Sequence, residues 1–255
     1  MICDVLDSLL HPLGIIERNE APMRAYEGLP PRKGIIRGIA EPVIISENGI
    51  RYHVDPLEGQ KTGFYFDQRE NRKAFRRYVK EKVVLDCFCN EGGFGLNAAS
   101  AEAASVIGVD ISKPIIERAE KNARLNKLEE RISFAVSDAF LYLREAVATG
   151  KSFDVINLDP PSFAKSKKDV RKALKGYQEI HDHAFKLLKP GGILASASCS
   201  HNIFPETFLE LINNSAREAG RNIKLLEWHG AAPDHPALIA MPETQYLKFG
   251  IFHVE

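Results

Sequence analysis

The second half of the chain alternates between short apolar runs and amphipathic segments. Residues 83–85 form a largely β-branched apolar run that predicts a buried parallel strand, and residues 96–103 are rich in alanine and favour a helix. The pattern continues, and further strands are predicted over residues 105–110, 131–136, 153–158, 193–198, 223–228 and 246–253. Alternating strands and helices are typical of a mostly parallel sheet with helices on both faces. We therefore predict an α/β fold.

The first part of the chain predicts less regular structure. Residues 2–10 favour a short helix, and Asn48-Gly49 between two apolar runs predicts a β-hairpin with a type I′ turn. Residues 28–38, which lie between them, are rich in proline and glycine and predict an irregular connection. We expect residues 1–57 to form a partial α+β domain of one helix and one hairpin, and residues 58–255 to form the main domain.

A segment rich in basic residues joins the two predicted domains. Residues 64–66 predict a strand, and Asp67 with Glu70 predicts a capping box at the start of a helix that extends to about Lys80. The arginines and lysines of that helix form either a solvated face or a basic rim above a substrate cleft. A second basic run lies further along the chain and contains Lys165, Lys167 and Lys168.

Composition narrows the classes of protein that the chain can represent. Lys+Arg and Asp+Glu each total 34, so the net charge is zero and any surface that binds nucleic acid has to be local. The 4 cysteines include no CxxC pair, so we expect neither a metal site nor a disulfide framework. The N-terminus lacks the basic region of a signal peptide, and no apolar run approaches the roughly 18 residues of a membrane span. We expect a soluble cytoplasmic protein.

The residues after the first predicted strand of the main domain point to a cofactor. Asp86 ends the strand, and Gly92, Gly93 and Gly95 interrupt the loop that leads into the helix. Glycines let the backbone approach a ligand and leave helix N–H groups directed at it. A carboxylate at the strand end would repel a pyrophosphate and suits a cationic ligand that carries an amine. S-adenosylmethionine therefore fits better than NAD, and an ordinary βα turn is the alternative.

Other reactive polar groups also stand at or just beyond predicted strand ends. Asp110, Asp138 and Asp159 occupy three such positions, and Cys199 occupies another. The carboxyl ends of parallel strands meet at one edge, so these groups are expected to lie near one another. Asp110 is placed to accept hydrogen bonds from ribose hydroxyls. Asp138 is either a helix cap or a partner for the adenine amino group.

Several motifs together resemble the RlmI (YccW-like) family of class I S-adenosylmethionine-dependent methyltransferases, which modify C5 of cytosine in large-subunit ribosomal RNA. The motifs are GQKTGFYFDQRENR, VLDCFCNEGGFGLNAA, GVDIS, NLDPPSFAKSK, SASCSH and DHPALIAMPETQYLKFGIF. The resemblance implies a seven-stranded Rossmann-like sheet whose last strand is antiparallel. Members of the family begin with an RNA-binding PUA domain, so the resemblance also implies that this domain and two strands of a connecting domain are absent from this chain.

The resemblance adds residues to the expected cofactor site and indicates the macromolecule that the protein binds. It implies that Gln68 and Arg69 reach S-adenosylmethionine and that Asp86 lies near the methionine amino group. Phe88 either contacts the cofactor or packs the loop. The full set of expected cofactor residues is Gln68, Arg69, Asp86, Phe88, Gly92, Gly93, Asp110, Asp138 and Asp159. RNA, of the ribosomal class, is the implied partner, and the oligomeric state is left open with a homodimer among the options.

The implied mechanism assigns Cys199 as the nucleophile and Asp159 as its partner at the target base. A thiolate that adds to C6 of cytosine activates C5 for methylation, and Asp159 would hydrogen-bond N3 of the ring. Pro160 and Pro161 would stiffen the loop that holds the substrate. Lys165, Lys167 and Lys168 would contact the RNA backbone. A small buried cysteine at a strand end is the alternative for Cys199.

Two other functions fit parts of the sequence. The DPPSF segment resembles the motif with which amino-group methyltransferases hold an exocyclic amine, and in that case Phe163 would stack on the ring of the substrate. Those enzymes need no cysteine, so a role for Cys199 separates the two hypotheses. The third hypothesis is a cofactor-binding module without catalysis, which the intact acids and proline pair disfavour.

Overall fold

The structure is a computed structural model that describes residues 1–59, 61, 63–164 and 166–255, without the side chains of Pro22, Lys167 and Pro242. The chain divides into two compact units, of which one contains Met1–Glu47 and Arg51–Phe66 and the other contains Asn48–Ile50 and Asp67–Glu255. The first unit ends at Phe66, whereas the expected domain boundary follows residue 57. The assignment of residues 1–57 to a separate domain stays a prediction.

In the residues that the structure describes, the smaller unit contains one α-helix and two pairs of strands. Helix α1 spans Ile2–Leu10, β1 (Gly14–Asn19) pairs antiparallel with β2 (Arg32–Gly38), and β3 (Val43–Glu47) pairs with β4 (Ile50–Val54). The predicted helix and hairpin are confirmed. Both turn residues of the hairpin have positive φ angles, 53° at Asn48 and 81° at Gly49, as a type I′ turn requires.

Two expectations for this region are wrong. Residues 28–38 were expected to be irregular, but most of them form β2, because the two prolines precede the strand and remove no ladder hydrogen bond from it. Residues 64–66 were expected to be a strand, but they lie in a bend that leads into a 3₁₀ turn over Phe66–Gln68. The ring of Phe64 packs on Tyr52 at 4.8 Å, so its apolar character reflects packing within the smaller unit.

The larger unit is built on a seven-stranded sheet with the order β10-β11-β9-β8-β5-β6-β7. Its strands are β5 (Val83–Cys87), β6 (Ser105–Asp110), β7 (Ile132–Val136), β8 (Phe153–Leu158), β9 (Leu188–Ser198), β10 (Ile223–His229) and β11 (Lys248–Val254). Strands β5 to β9 pair parallel, whereas β11 runs antiparallel to both β9 and β10. The α/β fold and the antiparallel last strand are confirmed.

The described part of the larger unit contains six α-helices. They are α2 (Arg69–Phe75), α3 (Gly93–Ser100), α4 (Lys113–Leu125), α5 (Ala139–Ala148), α6 (Val170–Leu187) and α7 (Pro205–Glu218). The predicted helix from Asp67 to Lys80 is shorter than expected, and the capping box is wrong. Asp67 is buried and its carboxylate accepts a hydrogen bond from the Tyr246 hydroxyl at 2.6 Å, so a tertiary contact has taken the side chain from the helix end. No helix in the described part of the chain is long and apolar enough to cross a membrane.

The core of the larger unit lies between the sheet and helices α5, α6 and α7. Phe185 and Tyr177 of α6 and Phe208 of α7 are fully buried there, together with Leu85 and Ile156 of the central strands. Helices α6 and α7 present their apolar faces to the sheet and keep charged residues outwards, which is typical of surface helices over a sheet.

This packing predicts the effect of removing a core ring. Phe185→Ala should lower the free energy of unfolding by about 3–5 kcal/mol, because the substitution removes buried apolar surface and leaves a cavity. The matched control is Phe204→Ala, whose ring is 66% exposed and whose loss should change stability by less than about 0.5 kcal/mol. Urea unfolding monitored by circular dichroism measures both, and equal effects of the two substitutions would contradict the packing.

Candidate active site

The candidate site lies where the winding of the sheet reverses. From β5 the chain winds outwards through β6 and β7, whereas β8 and β9 lie on the other side of β5. Open α/β sheets bind ligands at the carboxyl ends of the strands beside such a switch point. The loop of residues 88–92, called the glycine loop here, follows β5, and Asp159 follows β8. The two therefore flank the switch point.

The glycine loop has a backbone that depends on contacts with its surroundings. Phe88, Asn90 and Gly92 have φ angles of 61°, 48° and 85°. Residues other than glycine seldom adopt this region, so neighbouring groups must hold the loop in place. The N–H of Cys89 donates to the carbonyl of Val109 at 3.0 Å, which ties the loop to β6.

Helix α4 holds the tip of the glycine loop. The Arg118 side chain forms an ion pair with the buried carboxylate of Glu91 at 2.7 Å, and the Asn122 amide donates to the Glu91 carbonyl at 3.2 Å. The glycine at 95 serves packing as well, since an added Cβ would lie 2.8 Å from Cδ1 of Ile132. The glycines were expected to let a ligand approach, but at this position close contact with β7 already requires one.

Asp86 is buried beneath the glycine loop with a carboxylate that is bonded on both sides. One oxygen accepts from the N–H of Gly95 at 2.7 Å, and the other accepts from the Asn157 amide at 2.8 Å. Burial raises the pKa of Asp86 to about 7, although both hydrogen bonds act in the opposite direction. The carboxylate thus joins β5 to the start of α3 and to β8. Its expected contact with a methionine amino group stays a prediction.

Asp110 ends β6, and Asp138 lies two residues after the end of β7. The two oxygens of Asp110 accept from the N–H groups of Asn90 at 3.1 Å and Ser112 at 3.0 Å, so the residue supports the glycine loop. A carboxylate has about four acceptor positions, so Asp110 retains capacity for further donors. Asp138 caps α5 by accepting from the N–H of Leu141 at 3.0 Å, and its expected contact with adenine stays a prediction.

A buried amide chain leads to Asp159. The Gln68 amide donates to Asp159 at 3.0 Å and accepts at its oxygen from Asn71 at 2.6 Å. Asn71 also donates to the carbonyl of Gly230, so α2 connects the end of β8 with the loop after β10. Gln68 therefore orients Asp159, while the neighbouring Arg69 extends to Asp234 at 3.1 Å. The contacts of Gln68 and Arg69 with a cofactor stay predictions.

Cys199 follows β9 between two fully buried serines. Tyr177 donates to the hydroxyl of Ser198 at 3.0 Å and lies 3.3 Å from that of Ser200, which in turn lies 3.1 Å from the hydroxyl of Ser162. These hydroxyls join β9, α6 and the loop after the proline pair. Cys199 is half-buried, whereas Cys87 and Cys89 are fully buried and burial raises the pKa of both thiols.

The aromatic residues expected near the ligands pack against one another. Phe163 lies 4.8 Å from Tyr177 and 5.8 Å from Phe140, and Phe88 contacts Phe163 edge-on at 6.3 Å. Both Phe88 and Phe163 are half-buried, so part of each side chain remains accessible to solvent. Pro160 and Pro161 precede this cluster, with Pro160 buried and Pro161 exposed. Phe88 therefore packs within the loop region, as one of the two interpretations expected. Contacts of Phe88, Phe163, Pro160 and Pro161 with a ligand stay predictions.

Sequence reasoning missed several residues of this region. Lys248 is 2% exposed at the start of β11 and donates to the carbonyls of Ser200 at 2.7 Å and Tyr246 at 2.8 Å. A lone lysine between Leu247 and Phe249 was the available signal, because a charged residue in an apolar strand is seldom fully buried. Asn157 has no comparable signal, since its partner Asp86 lies on another strand. The described residues include no group of three or more His, Cys, Asp or Glu that could hold a metal ion.

The two basic segments lie around α2 and before and along α6. Around α2, ion pairs partly neutralise the basic residues, with Arg69 bound to Asp234, Arg77 to Glu227 and Lys80 to Glu102. Lys165 and the side chain of Lys167 lie outside the described residues. The exposed basic side chains that follow on the chain are Lys168, Arg171, Lys172 and Lys175. The segment before and along α6 therefore presents positive charge at the surface.

Comparison with known families agrees with this arrangement of loop and strand ends. A family model described as a methyltransferase domain matches residues 79–235, which include the glycine loop, Asp110, Asp159 and Cys199. The chain belongs to this methyltransferase family. The matched part covers all strands of the sheet except β11.

Similar proteins carry more specific names. Ribosomal RNA large subunit methyltransferase I of Aeromonas salmonicida is 43% identical over 97% of this methyltransferase, and that of Shewanella denitrificans is 44% identical over 92%. These matches confirm the resemblance to the RlmI family. The chain spans 63% and 60% of the length of these two relatives, which is less than two thirds.

A solved structure supports the fold. A protein provisionally described as a methyltransferase and solved in complex with SAH superposes with a TM-score of 0.78 and 25% identity, over 87% of this chain and 58% of that one. The seven-stranded Rossmann-like prediction is thereby confirmed.

Asp86 predicts how the stability of the methyltransferase depends on pH. Because its pKa is about 7 in the folded state and 3.8 without burial, the folded protein binds one more proton than the unfolded chain between these values. Stability should therefore fall as pH rises from about 4 to about 7, by up to about 1.4 kcal/mol per pH unit. In Asp86→Asn this contribution should vanish, and urea unfolding at several pH values measures it. The Asn157 amide can rotate to accept from the new amide, so the pair can be retained.

Asp154 provides the matched control for this titration. Burial would raise the pKa of Asp154, but the N–H of Val83 and the Lys189 side chain outweigh it, and the pKa is lowered. The stability that Asp154 contributes is lost only as pH falls below about 4, so Asp154→Asn should leave the slope between about pH 4 and 7 unchanged. If the free energy of unfolding changes with pH equally steeply in Asp86→Asn and in the parent between about pH 4 and 7, the raised pKa of Asp86 is refuted.

Proposed function

We propose that this chain methylates cytosine C5 in large-subunit ribosomal RNA, with S-adenosylmethionine as the methyl donor and Cys199 as the nucleophile. The observation that carries the proposal is the placement of Cys199 and Asp159 after the neighbouring parallel strands β9 and β8, beside the glycine loop of β5. The names of the RlmI relatives support the RNA substrate.

The residues at the switch point fit S-adenosylmethionine. Asp110 has acceptor capacity left for ribose hydroxyls, since each of its oxygens holds a single backbone N–H. The glycine loop leads into α3, whose N-terminal N–H groups favour a carboxylate such as that of the methionine moiety. Asp138 would contact the adenine amino group. Asp86, at the end of β5, would lie near the amino group of the methionine moiety. The related structure that contains SAH supports the same cofactor class.

The chemistry needs a thiolate and a proton donor at one base. S-adenosylmethionine, when bound, supplies an electrophilic methyl group and leaves as S-adenosylhomocysteine. The Cys199 thiolate would add to C6 across the C5=C6 double bond, and the displaced π pair would make C5 nucleophilic towards the methyl group that the cofactor supplies. Asp159, held by Gln68, would donate its carboxyl proton to N3 as negative charge develops in the ring and would take the proton back when the adduct breaks down. Removal of the C5 proton by a base then restores the double bond and releases the Cys199 thiolate.

RNA would approach along the basic segment after the proline pair. Lys165, Lys167 and Lys168 begin this segment, and Lys168, Arg171, Lys172 and Lys175 are exposed. Their proximity in sequence to Pro160, Pro161 and Phe163 would bring the phosphate backbone and the target base to one side of the sheet. With a net charge of zero, such a local surface would supply the electrostatic attraction to RNA.

The other two functions make different products. An amino-group methyltransferase would use Asp159, the proline pair and Phe163 to hold an exocyclic amine, and it would form an N-methyl base. A module without catalysis would form no product. Mass spectrometry of nucleosides from RNA incubated with the protein and S-adenosylmethionine separates 5-methylcytidine, an N-methyl base and the absence of methylation.

The cofactor assignment predicts that Asp110→Ala weakens the binding of S-adenosylhomocysteine. Loss of charge-assisted hydrogen bonds to the ribose costs about 1.5–3 kcal/mol, which is roughly a tenfold or greater rise in Kd by calorimetric titration. Asp110→Asn keeps an acceptor and should lose less. The matched control is Glu130→Ala, an exposed acid that follows α4. Parent-like affinity in Asp110→Ala would show that the ribose assignment is wrong.

The nucleophile assignment predicts a covalent adduct with RNA that contains 5-fluorocytidine. Fluorine at C5 cannot be removed as a proton, so the Cys199–C6 bond should persist after methyl transfer and give a stable protein–RNA species on denaturing gels. The adduct should be absent in Cys199→Ala and present in Cys3→Ala, which removes the other half-buried thiol. Formation of 5-methylcytidine by Cys199→Ala would refute the mechanism.

A further inference from the structure

A buried lysine lies next to the turn that carries Cys199, and the proposed mechanism gives it no role. Lys248 is 2% exposed, whereas lysines are almost never fully buried unless a charged group pairs with them. Both acceptors that the described residues offer it are carbonyls, those of Ser200 and Tyr246. Burying an ammonium with neutral acceptors alone is costly, so a negative charge nearby would account for its retention.

The strand register brings this ammonium to Cys199. Lys248 is the pairing partner of Ser198 in the antiparallel ladder of β11 and β9, and its Nζ binds the carbonyl of Ser200 at 2.7 Å. Lys248 thus contacts the residue after Cys199 and lies opposite the residue before it. Burial lowers the pKa of Lys248 to about 8, and the Coulomb interaction with Cys199 acts in the opposite direction. The lysine is therefore mostly protonated at neutral pH.

We propose that Lys248 is a positioning residue that holds a positive charge beside Cys199 and favours the thiolate form of this cysteine. The inference rests on the proposed function, in which Cys199 is the nucleophile. A thiolate, not a thiol, is the form that attacks, and neighbouring lysines are among the groups that stabilise it. A buried cation acts more strongly than an exposed one, because solvent screens it less.

The other ionisable groups around the turn do not replace this cation. Asp159 and Cys199 both act electrostatically on Tyr177, and Asp67 binds Tyr246, so two carboxylates lie on this side of the sheet. Their negative charge disfavours a thiolate. His201 packs against Tyr246 at 5.4 Å but is exposed, and solvent weakens its effect. Lys248 is fully buried and bonded at the turn, so it is the better placed positive charge.

The test is the pH dependence of Cys199 alkylation in the full chain. The rate of reaction with iodoacetamide is measured from about pH 5 to about pH 10 by peptide mass spectrometry, which separates Cys199 from the other three cysteines. Lys248→Met should move the midpoint of the profile to higher pH by about one unit or more. Lys224→Met, which removes an exposed lysine from the adjacent strand β10, should leave the midpoint unchanged. Coincident midpoints in Lys248→Met and the parent would overturn the proposal.

A second measurement needs no substitution of the buried lysine. Electrostatic coupling is reciprocal, so removing the thiol in Cys199→Ala should lower the titration midpoint of Lys248, followed by NMR of its side chain. If the titration midpoint of Lys248 is the same in Cys199→Ala and the parent, the proposal is overturned. This measurement remains decisive even if Lys248→Met does not fold. Neither experiment uses RNA or cofactor. Failure to form 5-methylcytidine would therefore count against the proposed function and leave this inference standing.

Discussion

The candidate site depends on one buried carboxylate. Asp86 ends the central strand and accepts hydrogen bonds from the start of α3 and from Asn157 on the neighbouring strand β8. These two bonds join β5 to β8 and to the helix that follows the glycine loop. Because the group is buried, each bond compensates a desolvation cost, and losing either partner would leave a polar group unsatisfied. Gly95 lies just after the glycine loop and Asn157 lies two residues before Asp159, so the connection reaches both sides of the candidate site.

The two halves of the site are held by different means. On the cofactor side, side chains hold main-chain groups of the glycine loop, with Asp110 binding the N–H of Asn90 and Asn122 of α4 binding the carbonyl of Glu91. On the side of Cys199, side chains predominate, with Gln68 on Asp159 and Tyr177 on the serines next to the cysteine.

Local sequence patterns were sufficient to predict those site residues that end or directly follow a strand. Asp110, Asp159 and Cys199 each follow an apolar run, and parallel strands bring such positions to one edge regardless of the details of packing. The Asn48-Gly49 turn was equally predictable, because few residues other than Asn and Gly adopt its backbone. Asp67 shows where the approach fails, since a pattern typical of a helix cap cannot reveal that Tyr246 binds the same carboxylate.

The sequence by itself determined the α/β class, the glycine loop and the edge on which the reactive groups meet, because these follow from periodicity and chain order. Only the tertiary structure decided what each polar group binds. Asp86 meets Asn157 from 71 positions away, and Lys248 meets Ser200 from 48 positions away. Such contacts are set by strand order and register in the folded sheet, and local periodicity carries no information about them. The physical roles of the buried charges therefore became visible only after the strands were paired.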